Sequence, residues 1–182
     1  MRSYSYIFGF ILFSLSANAV YSQHLNEAKT TCHEMTDHPH FRAAVLIGHT
    51  YFPTEQGEHL YIPSFGLDLE YWWSQHWGIG LHNDIEVENF EIISANREVG
   101  IERSYPLVST LDILYKPWKE LVLLMGPGIE ADNEQTFGLV RFGMEYEWMI
   151  TKKWDVSPSI FYDTRFEAFD SWSIALGFGR HF

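Results

Sequence analysis

Four side chains with metal-binding chemistry alternate along a short segment near the middle of the chain. The group consists of His82, Asp84, Glu86 and Glu88. In an extended strand, every second side chain points to the same face, so these four are predicted to share one row. One imidazole with several carboxylate oxygens suits a divalent cation. Because same-face neighbours are about 6–7 Å apart, a metal ion would need further ligands from adjacent strands, and His49 or Glu70 could supply them.

A second group of possible metal ligands lies near the amino terminus. It consists of His24, Cys32, His33, Glu34, His38 and His40. Imidazole and thiolate bind zinc or copper well, but the spacing matches no closed zinc motif, so the suggestion is compositional only. Cys32 is the single cysteine, which excludes an intramolecular disulfide.

Hydrolytic chemistry would need a serine beside a histidine base, with an acid to orient the base. Ser171 and Ser173 lie near the start of the last predicted strand, but no histidine falls at a matching height. The sequence therefore predicts no catalytic residue and no cofactor. The formal net charge of -12 also argues against a nucleic-acid partner, which would need clustered Lys and Arg.

The first 19 residues have the features of a cleavable signal peptide. Arg2 precedes an apolar run from Tyr6 to Leu15, and Ala17-Asn18-Ala19 forms a small-x-small cleavage signal. The run is too short to cross a bilayer as a helix. A buried amino-terminal helix is the alternative. With a signal peptide at 1–19, the mature chain would begin near Val20, and residues 20–40 would form a flexible, His-containing periplasmic lead.

From residue 41 onward the sequence alternates with the period of two that is typical of β-strands. The last segment is the clearest. One face is apolar apart from Arg180, and the other is small and polar. The apolar face comprises Trp172, Ile174, Leu176, Phe178 and Phe182.

Eight such segments follow one another, each about as long as a tilted membrane strand. They lie near 41–52, 65–73, 77–88, 105–116, 121–131, 137–150, 154–166 and 172–182. Short turns alternate with longer or more polar connections, as periplasmic turns and extracellular loops do. The short turns lie around 74–76, 116–119 and 151–153, and the longer connections around 53–59, 94–103, 132–135 and 167–171. The sequence thus predicts an all-β protein, an eight-stranded antiparallel up-and-down transmembrane β-barrel over 41–182.

Alternation alone does not say which face points inward. A soluble, lipocalin-like barrel would place the apolar residues inside, whereas a membrane barrel places them outside. The nearly charge-free apolar faces favour the membrane version. The lumen would then be acidic, with carboxylates at Asp68, Glu70, Asp84, Glu86, Glu88, Asp112, Glu130, Glu145, Glu147, Asp155 and Asp163. The matching cations are Arg42, Lys116, Arg141 and Arg165.

Several short motifs resemble the small, mostly uncharacterised outer-membrane β-barrel proteins of Bacteroidetes, which have an OmpA-like barrel domain. The motifs are at 47–50, 77–82, 102–106, 126–130, 141–146 and 177–182. The resemblance covers most of residues 41–182 and implies an architecture, since the family has no established reaction. The terminal strand also resembles the signal read by the outer-membrane assembly machinery, with Phe178 and Phe182 as its aromatic residues. Arg180 departs from that pattern, and near the interface its side chain can snorkel.

These observations together predict a monomer in the cell outer membrane of a Gram-negative bacterium. The expected partners are outer-membrane lipid and the assembly machinery. The expected function is a structural or surface-interaction role, with a narrow, charged and plugged lumen. Two alternatives remain open at this stage. One is a lipid-modifying enzyme at the outer leaflet, and the other is a soluble periplasmic carrier of an apolar ligand.

Overall fold

The computed structural model describes residues 39–53, 59–93, 100–133, 135–166 and 168–182. The predicted signal peptide and residues 20–38 of the predicted lead lie outside these ranges. Among the described residues, no helix is long and apolar enough to cross a membrane.

The described chain consists of antiparallel β-strands. They are β1 (His40–Pro53), β2 (His59–Trp72), β3 (Trp77–Glu86), β4 (Asn89–Ile93), β5 (Gly100–Ser104), β6 (Leu107–Tyr115), β7 (Leu121–Ala131), β8 (Thr136–Tyr146), β9 (Trp148–Met149), β10 (Trp154–Arg165) and β11 (Asp170–His181). β4 and β5 form a separate two-stranded hairpin, and β9 continues the line of β8 along β10. Eight strands therefore form the wall.

The wall closes on itself into a barrel. The strands follow the order β1-β2-β3-β6-β7-β8-β10-β11, and β11 pairs with both β10 and β1. Beyond the last strand, the Phe182 N–H donates to the Phe41 carbonyl at 2.9 Å. Closure pairs the first and last strands with each other, so the eight described strands of the barrel wall leave no free edge. The predicted eight-stranded antiparallel barrel is confirmed.

The two ends of the barrel differ. We call one the turn end, because it carries the connections at 73–76, 116–120 and 150–153 and both termini of the described barrel. The other is the loop end, where the β4–β5 hairpin projects between β3 and β6. Tyr105, which leads from β5 back towards β6, adopts a φ of 47°, a left-handed conformation unusual for a residue with a side chain.

The strands are staggered, so a row of paired residues climbs as it passes around the barrel. The row that starts at Gly179, near the turn end of β11, runs through Ala44, Asp68, His82, Thr110, Gly128 and Leu139 to Arg165. The neighbour of Arg165, Thr164, pairs with Asp170 at the loop end of β11. One circuit therefore rises by nearly the whole length of a strand, as the tilt of a closed barrel requires.

The structure corrects several predicted element boundaries. β2 begins at His59, six residues before the predicted segment. The connection predicted around 94–103 lies partly within the β4–β5 hairpin, which the sequence analysis did not identify. The predicted strand over 137–150 is interrupted at Glu147, between β8 and β9, although the Glu147 N–H still donates to the carbonyl of Glu120, next to β7, at 2.7 Å.

Burial decides which face of the strands points inward. Large apolar side chains are exposed around the whole wall, among them Ile47, Leu67, Leu111, Ile113, Met144, Ile174 and Leu176. Charged side chains fill the interior instead, as Arg42, Asp112 and Glu130 illustrate with at most 1% of their surface exposed. An outward apolar band on a closed barrel is the arrangement that lipid requires, and it excludes the lipocalin-like alternative. Five tryptophans are also exposed on the outside at the turn end, as in the aromatic girdle of a membrane barrel: Trp73, Trp77, Trp118, Trp148 and Trp154.

Candidate functional site: the charged lumen

The lumen near the turn end is organised around Arg42 of β1. Its guanidinium forms ion pairs with Glu70, with Glu145 at 2.7 Å and with Asp155 at 2.7 Å. It also donates to Ser157 Oγ at 2.8 Å. These partners come from β2, β8 and β10, so one side chain joins four strands across the interior.

Further polar contacts extend this layer towards the turn end. Lys116 Nζ contacts Glu147 Oε2 at 2.6 Å, and the same ammonium lies 4.2 Å from the centre of the Trp72 ring. The Trp72 indole N–H donates to Glu70 at 2.7 Å. On the opposite side, His181 Nε2 and Asp155 Oδ2 are 2.9 Å apart. The layer is therefore continuous from Lys116 to His181.

Arg141 of β8 bridges the middle of the lumen. Its Nε and Nη2 bind both oxygens of Asp163 at 2.7 Å each, the bidentate geometry in which guanidinium and carboxylate match best. Its Nη1 reaches Asp84 of β3 at 2.5 Å. The Phe161 ring lies 4.9 Å from the Arg141 guanidinium carbon. Arg141 thus connects β3, β8 and β10 halfway along the barrel.

A third group of charges lies near the loop end. Glu130 of β7 accepts from Arg165 and forms an ion pair with Arg103 at 2.7 Å. Arg103 also pairs with Asp132 at 2.9 Å, and Arg165 donates to Ser171 Oγ at 2.8 Å. Arg103 belongs to β5, so this group attaches the base of the projecting hairpin to the barrel wall.

Apolar side chains fill the space between and beyond the charged groups. One buried cluster occupies the lumen towards the turn end and contains Ala44, Leu46, Trp72, Leu114, Val122, Leu124 and Phe161. A second contains Phe52, Ile62 and Phe169, with Leu60, Phe137 and Ala168 packed against it. This second cluster caps the loop end, where Phe52 and Phe137 each meet Phe169 edge to face.

The four residues of the predicted metal site do not share a common partner. His82 Nδ1 lies 2.5 Å from Asp112 Oδ2, and Asp84 pairs with Arg141. Glu86 is buried near the loop end. Glu88 lies two residues beyond the end of β3 with an exposed side chain, so its predicted inward facing is wrong. The physical reason is that the strand pairing ends at Glu86, and alternation no longer applies after that point.

The additional ligand candidates are also separated. His49 faces outward from β1 and cannot reach the carboxylates inside the barrel. Glu70 forms an ion pair with Arg42 and accepts a hydrogen bond from Trp72. In the described part of the chain, no three His, Cys, Asp or Glu side chains meet in an arrangement that could hold a metal ion. A metal ion at His82, Asp84, Glu86 and Glu88 therefore stays a prediction from sequence. Apart from His40, the amino-terminal ligand candidates lie outside the described residues.

Some buried polar atoms have no hydrogen-bond partner within the described residues. They are Asp68 Oδ2, His82 Nε2, Glu86 Oε2, Asp112 Oδ1 and Glu147 Oε1, together with atoms of Arg103, Glu130 and Arg165. Asp68 and His82 are directly opposite each other on β2 and β3, in the row that also contains Thr110. Carboxylates outnumber cations in the lumen, as the sequence predicted, and both carboxylate oxygens and cationic nitrogens are among these atoms.

The two serines considered for catalysis have structural partners. Ser171 accepts from Arg165 inside the barrel, and Ser173 lies 3.1 Å from the Thr50 hydroxyl across the β1–β11 pair. Neither of these contacts is to a histidine. Arg103 is a lumen residue that the sequence does not predict, because the predicted connection over 94–103 includes it. The signal available was the alternation Glu102-Arg103-Ser104, too short to define a strand by itself.

The closed barrel fold and the outward-facing apolar side chains together define the class of protein. The chain is an outer-membrane β-barrel of eight strands. No protein-family model matches the sequence, and no curated protein matches it. Solved outer-membrane barrels do share the fold. Ail, the attachment invasion locus protein of Yersinia pestis, superposes with a TM-score of 0.58 at 12% identity, covering 80% of this chain and 99% of that one.

Two further structures give the same result. OprG of Pseudomonas aeruginosa superposes with a TM-score of 0.53 at 12% identity, covering 80% of this chain and 98% of its own. Neisserial surface protein A superposes with a TM-score of 0.51 at 11% identity, covering 78% and 95%. At identities this low, the superpositions establish a common fold alone.

Proposed function

We propose that this protein is a non-catalytic outer-membrane barrel whose lumen is plugged and whose loop end mediates surface interaction. The observation that carries the proposal is the set of three arginines that cross the lumen at successive levels. Arg42, Arg141 and Arg165 are each at most 4% exposed, and each joins side chains from different strands. An eight-stranded barrel is only wide enough for side chains to fill, so these bridges leave little room for solute.

The apolar cap supports the same conclusion. Phe52 and Ile62 are completely buried at the loop end, and Phe169 closes over them. The Arg165 guanidinium carbon lies 4.6 Å from the Phe169 ring, which ties the cap to the ion pairs below it. A solute entering from the loop end would first have to displace this aromatic cluster.

Electrical recording tests the plug. In planar bilayers the purified barrel is expected to show no discrete conductance steps. Truncating the bridges in the middle and near the loop end together, as Arg141→Ala with Arg165→Ala, is expected to produce openings, because two large side chains that cross the lumen are removed. The outward substitution Ile113→Ala serves as a control that alters the wall but not the lumen. Regular single-channel steps from the unaltered protein would contradict the proposal.

The surface role rests on orientation. Short turns and both barrel termini at one end are the arrangement of periplasmic ends in bacterial barrels, which supports an extracellular position for the β4–β5 hairpin. The hairpin is attached to the wall through Arg103, and Ser104 Oγ donates to Asn89 Oδ1 at 2.9 Å across its base. The hairpin is therefore held at a defined position on the rim, where a surface partner could reach it.

Surface labelling of intact cells tests this orientation. An epitope inserted between Ile93 and Gly100 is expected to bind antibody without permeabilisation. The same epitope inserted at Lys152 is expected to bind only after the outer membrane is permeabilised. Because both insertions lie in connections and not in wall strands, both variants should fold, which heat-modifiable migration on an unboiled gel would check. The reverse labelling pattern would contradict the proposed orientation and, with it, the surface role of the hairpin.

A further inference from the structure

Arg180 is the only lysine or arginine that faces outward from the eight described barrel strands. It lies near the turn end of β11, opposite Trp154 on β10 and Ala43 on β1. A cation on the lipid-facing surface is costly unless it reaches the interface or meets an opposite charge. Its position therefore needs a physical explanation.

The guanidinium of Arg180 is held between two aromatic rings. Its carbon lies 5.2 Å from the Trp154 ring centre and 4.9 Å from that of Phe182. Stacking of this kind occupies the faces of the guanidinium and leaves the N–H donors at its edge for another acceptor. Among the described residues, no ion pair or hydrogen bond of the Arg180 side chain is found.

An apolar groove of about 400 Å³ lies on the outer wall, and two of its lining residues adjoin Arg180: Ala43, which pairs with it across β1 and β11, and Phe182, whose ring the guanidinium contacts. The side nearer the turn end is lined by Phe182, Phe41, Tyr71 and Ile79. The side nearer the loop end is lined by Ala43, Leu69, Leu81 and Leu111. Phe182 thus contacts both the guanidinium and the groove. The small side chain of Ala43 leaves the depression open at the position next to Arg180.

The groove follows a climbing row of the barrel. On the side nearer the loop end, each residue pairs with the next one across neighbouring strands: Arg180 with Ala43, Ala43 with Leu69, Leu69 with Leu81, and Leu81 with Leu111. Four strand spacings make this path about 19 Å long. Because the rows rise from the turn end, the path leads from the interface towards the middle of a hydrocarbon core about 30 Å thick.

We propose that Arg180 and this groove form a binding site for one anionic phospholipid, with the phosphate on the guanidinium and an acyl chain in the groove. A guanidinium binds phosphate oxygens through two parallel N–H donors, which fits the edge that stacking leaves open. The groove supplies apolar contact where an acyl chain from that headgroup would run. Only the assignment to the periplasmic leaflet rests on the proposed orientation, since the site itself is defined by the barrel.

Native mass spectrometry of the full barrel in detergent tests the site, with dioleoylphosphatidylglycerol and dioleoylphosphatidylcholine as probes. The unaltered protein is expected to retain one phosphatidylglycerol and to retain phosphatidylcholine poorly. Arg180→Gln is expected to weaken phosphatidylglycerol retention about tenfold or more, because charged hydrogen bonds to the phosphate are lost. Lys119→Gln removes the same charge from another turn at the same end and is expected to leave retention unchanged.

A second variant tests the groove separately from the charge. Ala43→Phe fills the depression while Arg180 stays in place, and it is expected to weaken retention of the diacyl lipid. Glycerophosphoglycerol, which lacks acyl chains, is expected to bind weakly to every variant. Heat-modifiable migration confirms that each variant is folded before lipid is added.

Three results would overturn the proposal. They are equal retention of the two lipids, equal retention by the Arg180→Gln and Lys119→Gln variants, and a dimer that forms through the groove and excludes lipid. None of these depends on which end of the barrel faces the periplasm, so failure of this site is distinguishable from failure of the proposed orientation.

Discussion

Replacing Arg42 with alanine is expected to destabilise the barrel more than any other single truncation in the lumen. Three carboxylates, Glu70, Glu145 and Asp155, would lose their common cation while remaining buried. Breaking a buried ion pair by removing one partner typically costs about 3–5 kcal/mol, because the remaining charge is left uncompensated. Urea unfolding in lipid vesicles, followed by tryptophan fluorescence and by the gel shift of the folded form, would measure the loss.

The geometry explains why Arg42 should matter more than Lys116. Arg42 donates from three nitrogens to five acceptor atoms of four residues on three other strands, whereas Lys116 makes one ion pair, to Glu147, and is itself partly exposed. Lys116→Ala is therefore the matched control and is expected to lower the free energy of unfolding by a smaller amount. Arg42→Lys should fall between the two, because an ammonium keeps the charge but cannot reproduce the planar fork. Equal effects of Arg42→Ala and Lys116→Ala would contradict the central role of Arg42.

The sequence predicted the faces of the strands well, because alternation with a period of two is a local property. Asp68, Glu70, Asp112 and Glu145 were all predicted inside, and all are buried. The pairing of these charges could not be predicted in the same way. Which carboxylate meets Arg42 depends on the stagger of the closed barrel, and that stagger is a property of all eight strand pairings together.

Local alternation also failed where strands are short or end early. Arg103 lies in a five-residue strand of a hairpin that pairs only with itself, so the sequence around it carries no long pattern. Glu88 continues the alternation of β3 by one further step, although the strand pairing has ended. Arg180 was recognised as an exception from sequence. The contacts with Trp154 and Phe182 and the groove beside them required the folded barrel.

Phe178→Asp is expected to prevent most of the protein from reaching its folded, membrane-inserted form. Phe178 is outward and exposed to lipid, and its ring stacks on Trp154 with centroids 5.0 Å apart. A charged residue facing lipid costs up to about 2–4 kcal/mol at the midplane for Arg or Lys, and less for Asp and nearer the interface. Phe178 lies between the midplane and the turn-end interface, two residues before Arg180, so the cost of Asp there falls at the lower end of that range. The lost ring pair adds about 0.5–1.5 kcal/mol. The folded fraction is measured by heat-modifiable migration after expression in cells and after refolding into vesicles.

Comparing cells with vesicles distinguishes the free-energy cost of exposing the residue to lipid from a loss of recognition by the assembly machinery, because only the cells contain that machinery. Phe166→Asp makes the same chemical change at an exposed turn of the loop end, where interfacial position keeps the cost near 0–1 kcal/mol. Deleting Phe182 removes the hydrogen bond to Phe41 that completes closure and the aromatic terminus that we propose the machinery reads. If that proposal is right, the deletion should reduce assembly in cells more than refolding in vesicles, whereas Phe178→Asp should reduce both. Normal assembly of both variants in cells would show that Phe178 and Phe182 are not the assembly signal, even though both side chains face the lipid.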